Sequence, residues 1–204
     1  MTSAALVQEK EILYEVALPK AKSLTWVEFK SRYLWREDSY KYEWLNGTVE
    51  KSKRNMDQSQ FFILSNLMAY FRQSDFVQIG ELITEGDMFF AGNHRRPDVC
   101  FLTKEQITRA AYGENQVPKF VIEIISDSDG FKRVNKKMQD YRNAGVECVW
   151  YIIPDDEEIH IFSSSNLRST QICKENDICF VSFEQLKGFT PTVNQIFYKA
   201  EKPF

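Results

Sequence analysis

The stretch Lys119-Phe-Val-Ile-Glu-Ile-Ile125 is nearly continuous in apolar character, yet it carries a carboxylate, Glu123, near its middle. A run of this length and composition is a strand buried on both faces, the kind found inside mixed or parallel sheets whose two sides are covered. Alternation puts Val121 and Ile125 on the face of Glu123, and Ile122 and Ile124 on the other. Such a strand needs a packed layer on each side. A chain of 204 residues can supply both within one domain, so a single domain over residues 1–204 is expected.

The flanking pattern supplies those layers. Thr25-Trp-Val-Glu28 is a capping box, predicting a short helix to about Tyr33. Tyr42-Glu-Trp-Leu-Asn46-Gly47-Thr-Val-Glu predicts a β-hairpin, because Asn-Gly supplies the positive φ angles of a two-residue turn. Met56 to Gln73 spaces Phe61, Leu64, Leu67, Met68 and Phe71 as one apolar helical face. Phe76 to Leu102 reads as a meander of short strands, followed by a second capping box at Thr103–Gln106. Lys132 to Ala144 reads as a helix closed by Gly145, with Cys148 to Ile153 a second buried strand and Pro154-Asp155 its turn. Further strands are expected near Ile159–Phe162, Gln171–Cys173 and Ile178–Phe183. The fold class is therefore α/β in the α+β sense, and no internal repeat or linker is apparent.

Composition narrows the function classes. At 43% hydrophobic and 27% charged residues the chain is of ordinary globular composition. No apolar run approaches the ~20 residues of a membrane span. Met1 to Lys10 carries charge where a signal peptide needs an apolar core, so a cytoplasmic location without a membrane partner is expected. Cys100, Cys148, Cys173 and Cys179 show no Cys-x-x-Cys pairing, and three lie in strand-like runs, which marks them as reduced core thiols. Histidine chemistry is nearly excluded by scarcity. His160 lies in an alternating strand, and His94, beside Arg95 and Arg96, reads as part of a solvated loop. A net charge of −3 leaves nucleic-acid binding to a local basic patch.

Glu123 then needs a partner, because an unpaired buried carboxylate costs several kcal/mol. Either a cation of the chain or a metal ion would serve. A second carboxylate, Asp98, follows Pro97 at the start of another apolar strand, Val99-Cys-Phe101. Two acids on neighbouring strands can share one hard cation, since Mg²⁺ is commonly held by one or two carboxylates plus water and phosphate.

The order of these segments, Tyr42-Glu43…Asn46-Gly47, Arg96-Pro97-Asp98-Val99, Val121-Ile-Glu123-Ile-Ile-Ser126 and Lys137-x3-Tyr141-x3-Gly145-Val146…Trp150, resembles the Uma-type restriction endonuclease family. That family is a branch of the PD-(D/E)XK nuclease superfamily, and the resemblance covers roughly residues 24 to 163. It implies a restriction-endonuclease-like central mixed β-sheet flanked by helices. It further implies Asp98 and Glu123 as ligands of Mg²⁺ (with Mn²⁺ able to substitute), a lysine near the attacking water, and hydrolysis of DNA phosphodiesters. Glu43 is implied as an additional acid at the site. The superfamily's Glu-x-Lys position is Ile125 here, so the resemblance assigns the lysine to Lys137, with Lys136 as the less favoured alternative. Where the family often has an acid one turn earlier, this chain has Arg133.

Lys132, Arg133, Lys136 and Arg142 follow Glu123 on one predicted helix and, with Arg96, are the candidates for gripping phosphates. An ordinary solvated helix face is the alternative reading. Ser126-Asp-Ser-Asp129 suits a helix cap better than a metal site. A metal-dependent endonuclease is one functional expectation. An inactive nuclease-fold module that binds nucleic acid or a protein is the other. Cleavage of both strands would suit a homodimer.

Overall fold

The structure, a computed structural model, describes residues 23–53, 60–90, 92–126 and 130–201. The strands β1 (Tyr40–Leu45), β2 (Thr48–Lys53), β4 (Met88–Phe90) and β5 (Asn93–Arg95) form a four-stranded sheet in the order β2-β1-β5-β4. A second, six-stranded sheet runs β10-β9-β8-β7-β6-β3, from β3 (Gly80–Thr84), β6 (Val99–Thr103), β7 (Phe120–Ile124), β8 (Cys148–Ile153), β9 (Glu158–Ser163) and β10 (Ser169–Lys174). The larger sheet is mixed, because β7 pairs antiparallel with β6 and parallel with β8.

All five residues of β7 are buried, and their alternation builds two cores. Phe120, Ile122 and Ile124 join Trp150 with Ile63, Leu67 and Phe71 of α2 (Phe61–Arg72) and Ile196 of α5 (Val193–Phe197). Val121 joins Val149 and Tyr151, Met138 and Tyr141 of α4 (Phe131–Ala144), and Met88 and Phe90 of the smaller sheet. At about 1.5–3 kcal/mol for each large apolar side chain buried, these two layers supply most of the drive to fold. Glu123 shares the second face, so its carboxylate points toward α4.

Local chemistry sets the elements. Thr25 and Glu28 form the capping box of α1 (Trp26–Phe29), which continues as a π-helical turn over Lys30–Leu34. Thr103 and Gln106 do the same for α3 (Lys104–Ala111). Asn46 and Gly47, at φ 48° and 83°, close the β1–β2 hairpin. Gly145, at φ 74°, ends α4 in the left-handed conformation and donates to the carbonyl of Arg142.

The expected central mixed sheet is the six-stranded one, and a smaller sheet joins it because the run from Phe76 to Leu102 divides its strands between the two. Three expectations need correction. Ile178–Phe183 is not a strand: only Ile178 makes a bridge, to Thr192, and Cys179, Val181 and Phe183 pack irregularly into the core. On α2 the buried stripe is Ile63, Leu67 and Phe71, while Phe61 is exposed. His94 is buried in β5 against the rings of Trp26 and Phe29, and it bonds Asp87. The N-cap of α4 is Gly130, and the expected capping tract lies, apart from Ser126, outside the described residues. The four cysteines are free and buried as expected, with burial pushing the Cys100 thiol up to about 12. Among the described residues no helix is long and apolar enough to cross a membrane.

Candidate active site

The site lies where the two sheets and α4 meet. Antiparallel β6 and β7 pair Val99 with Ile122, so the next register position sets Asp98 opposite Glu123. Asp98 continues the ladder with its side chain, as Oδ2 accepts from the amide of Ile124 at 2.9 Å. Its Oδ1 accepts from Lys41 Nζ at 2.8 Å. Glu123 Oε2 accepts from Lys137 Nζ at 2.6 Å, and Oε1 accepts from the hydroxyl of Tyr141. Lys137 and Tyr141 are one helical turn apart, on the inward face of α4.

A second cluster adjoins the first. Glu43 and Glu50 stand directly opposite each other on β1 and β2, an arrangement of like charges that would be destabilising alone. Arg95 removes the conflict: its Nη1 donates to both, at 2.8 Å each, while Nε (2.9 Å) and Nη2 (2.5 Å) donate to Asp140 of α4. The remaining oxygen of Glu43, Oε1, accepts from the backbone amide of Arg96 at 2.8 Å. Arg95 is fully buried and Glu43 nearly so.

These neighbours set the charge states. Burial works to raise the pKa of Glu43, but the charges of Lys137, Arg95 and Lys41 and the Arg96 amide outweigh it and hold the carboxyl at about 2. Asp98 is likewise held at about 2, with Lys41, Lys137 and the Ile124 amide outweighing burial. Glu123 goes the other way: burial, together with the charges of Asp98 and Glu43, exceeds the pull of Lys137 and raises its pKa. Burial also opposes the charge of Lys137, yet Glu123, Glu43 and Asp98 together raise its pKa and keep it an ammonium. Two carboxylates in one site with pKa values pushed apart is a pattern found at functional sites.

Residues 26–190 match the profile of the Uma2 family, described as "Putative restriction endonuclease". The chain belongs to the Uma2 family. Among solved structures it resembles a "putative nuclease belonging to DUF820" from Anabaena variabilis, with a TM-score of 0.65 and 19% identity over 85% of this chain and 97% of that one. That likeness establishes a shared restriction-endonuclease-like α+β fold. No curated protein matches the sequence.

In this Uma2 family member the four residues singled out as the site, Asp98, Glu123, Lys137 and Glu43, come together within one network. The phosphate candidates do not gather in one row. Arg96 turns its side chain to Asp87, at 2.8 Å, and is 14% exposed. Lys136 is paired with Glu50, and Arg142 donates to the carbonyls of Asn166 and Leu167. Lys132 is exposed and Arg133 half-buried.

Lys41, Arg95, Asp140 and Tyr141 had no site role in the sequence reading. Lys41 was findable, since it lies two residues before Glu43 and alternation puts both on one face of β1. Asp140 and Tyr141 follow Lys137 by three and four residues, so one helical face carries all three. Arg95 offered no such signal, because its burial depends on the smaller sheet closing over α4.

Among the described residues no cluster of three or more His, Cys, Asp or Glu side chains is arranged to hold a metal ion. The donor set that exists is two carboxylates at opposed register positions. That fits Mg²⁺, whose coordination is completed by water and phosphate, and does not fit a closed protein cage.

Proposed function

We propose that this protein is a Mg²⁺-dependent nuclease that hydrolyses DNA phosphodiesters, with Asp98 and Glu123 holding the metal ion and Lys137 serving the nucleophile. The observation that carries the proposal is the opposition of Asp98 and Glu123 across β6 and β7, with a buried lysine on Glu123, in a chain of the Uma2 family. Each carboxylate oxygen has one donor and keeps capacity for another partner. Mg²⁺ bound there would neutralise phosphate charge and make a water acidic enough to attack. Lys137, kept charged by three carboxylates, orients that water and offsets charge developing on phosphorus oxygens. Glu43 holds Arg95 and the Arg96 amide in place, which fixes the chain just before Asp98. DNA would approach over the exposed part of α4, where Lys132 lies. A homodimer and a cytoplasmic setting complete the proposal.

A second reading also has a specific observation behind it. Both oxygens of Asp98, Glu123 and Glu43 already accept a hydrogen bond from the chain, as a purely structural ion network would require. On that reading the protein is an inactive nuclease-fold module. Nicking of supercoiled plasmid with Mg²⁺ or Mn²⁺ separates the two. The nuclease reading requires nicking by the wild type that chelator, Asp98→Asn and Lys137→Met each abolish. Nicking that survives Asp98→Asn, or none by the wild type with either ion, would leave the inactive module.

A further inference from the structure

Lys41 is an oddity that a one-lysine nuclease site does not use. Its side chain is 6% exposed, and its ammonium sits on Asp98 Oδ1 at 2.8 Å. That oxygen is one of those a metal ion would need. Charge accounting gives the position a consequence. The buried cations are Lys41, Arg95 and Lys137. Facing them are Glu43, Glu123 and Asp140, all buried, and Asp98, whose side chain is 23% exposed. Glu50 and Lys136 neutralise each other at the rim. With Glu123 ionised, as the donors Lys137 Nζ and Tyr141 on its two oxygens require, three cations against four carboxylates leave the network at −1.

A divalent cation added alone would take that network to +1, and one phosphodiester added with it would return it to zero. Surplus charge in a water-poor site costs free energy, whereas a neutral set does not. We propose that Lys41 is a positioning residue that competes with the metal ion for Asp98 and thereby makes metal binding depend on the substrate phosphate. The device rests on the metal-site reading above and adds its regulation. Without Lys41 the network stands at −2, so a divalent cation alone neutralises it. The coupling between metal and DNA should then disappear.

The test is Mn²⁺ binding, followed by the electron paramagnetic resonance of the free ion, with and without a short DNA duplex. It is run on the wild type, on Lys41→Met, and on Lys41→Gln, which can still hydrogen-bond Asp98 but carries no charge. The wild type should bind Mn²⁺ weakly alone and at least about tenfold more tightly with duplex. Both variants should bind Mn²⁺ about tenfold more tightly than the wild type without DNA, and duplex should add less than about threefold. Equal Mn²⁺ affinity of variants and wild type, or an undiminished effect of duplex in the variants, overturns the role of Lys41 and leaves the metal site standing. Absence of Mn²⁺ binding by any of the three proteins, with or without duplex, overturns the metal site itself. Failure of both variants to fold, seen by circular dichroism, makes Lys41 a structural counter-ion and also overturns the proposal.

Discussion

Replacing Arg95 by Met should be among the most damaging single substitutions in this chain. The guanidinium is fully buried and makes four charge-assisted hydrogen bonds to Glu43, Glu50 and Asp140. Methionine fills a similar volume, and the apolar area it buries returns at most ~3 kcal/mol. What it leaves is Glu43 facing Glu50 across the hairpin, with Asp140 on α4 answered only by the side-chain amide of Asn93. Removing one partner of a buried ion pair costs about 3–5 kcal/mol, and here three carboxylates share the loss, so the upper part of that range applies after the methionine gain. For a domain of this size that is a fall in Tm of about 8–20 °C. Urea denaturation at neutral pH measures it, and Arg95→Lys, which keeps the charge but not the planar fork, should lose less. The deficit of Arg95→Met should shrink in acid, because protonated carboxyls no longer need the guanidinium. A loss below about 1 kcal/mol at neutral pH, or a deficit that does not shrink in acid, would refute this account of the network.

Three further outcomes are expected. Glu43, held at about 2 against an ordinary 4.5, contributes roughly 3 kcal/mol that is fully present above about pH 4.5 and lost as pH falls toward 2. Urea melts of wild type and Glu43→Gln should lie closer together at pH 3 than at pH 7, and a constant gap would contradict the assignment. Glu123 has the opposite sign, since its raised pKa makes its charged form a liability as pH rises, so Glu123→Gln should leave the unfolding free energy within about 1 kcal/mol of wild type or raise it. Lys137 keeps Glu43 and Asp98 as counter-charges in that variant, and a loss of about 3–5 kcal/mol would instead mark the Glu123–Lys137 pair as structural. DNA binding should fall steeply with salt, and Lys132→Ala should reduce the salt slope by about 0.9, whereas an unchanged slope in fluorescence anisotropy would remove Lys132 from the interface.

How much of this was legible beforehand follows from what each signal depends on. The apolar run around Glu123 specified a central strand, and its alternation divided the two cores correctly, because side-chain direction in a strand is set by the backbone alone. Capping boxes at Thr25 and Thr103 and the Asn46-Gly47 turn were equally local, and they appear where the residues put them. Arg95 was harder, since its burial comes from the smaller sheet closing over α4, a contact with Asp140 45 residues away. His94 was misplaced for the same reason: flanking arginines look like a solvated loop until the aromatic rings of α1 cover that strand. Ile178–Phe183 has strand-like alternation but no neighbour to pair with beyond Thr192, and burial of its apolar residues needs no ladder.

The central claim is that Asp98 and Glu123 jointly hold one divalent cation. A crystal structure of the protein soaked in Mn²⁺ tests it most directly, because the ion's anomalous scattering locates it without reference to any assumed ligand. The account predicts a peak within coordinating reach of both carboxylates, with Lys41 moved off Asp98 Oδ1. A fully soaked crystal with no peak there, and Lys41 and Lys137 still on their carboxylates, would contradict it.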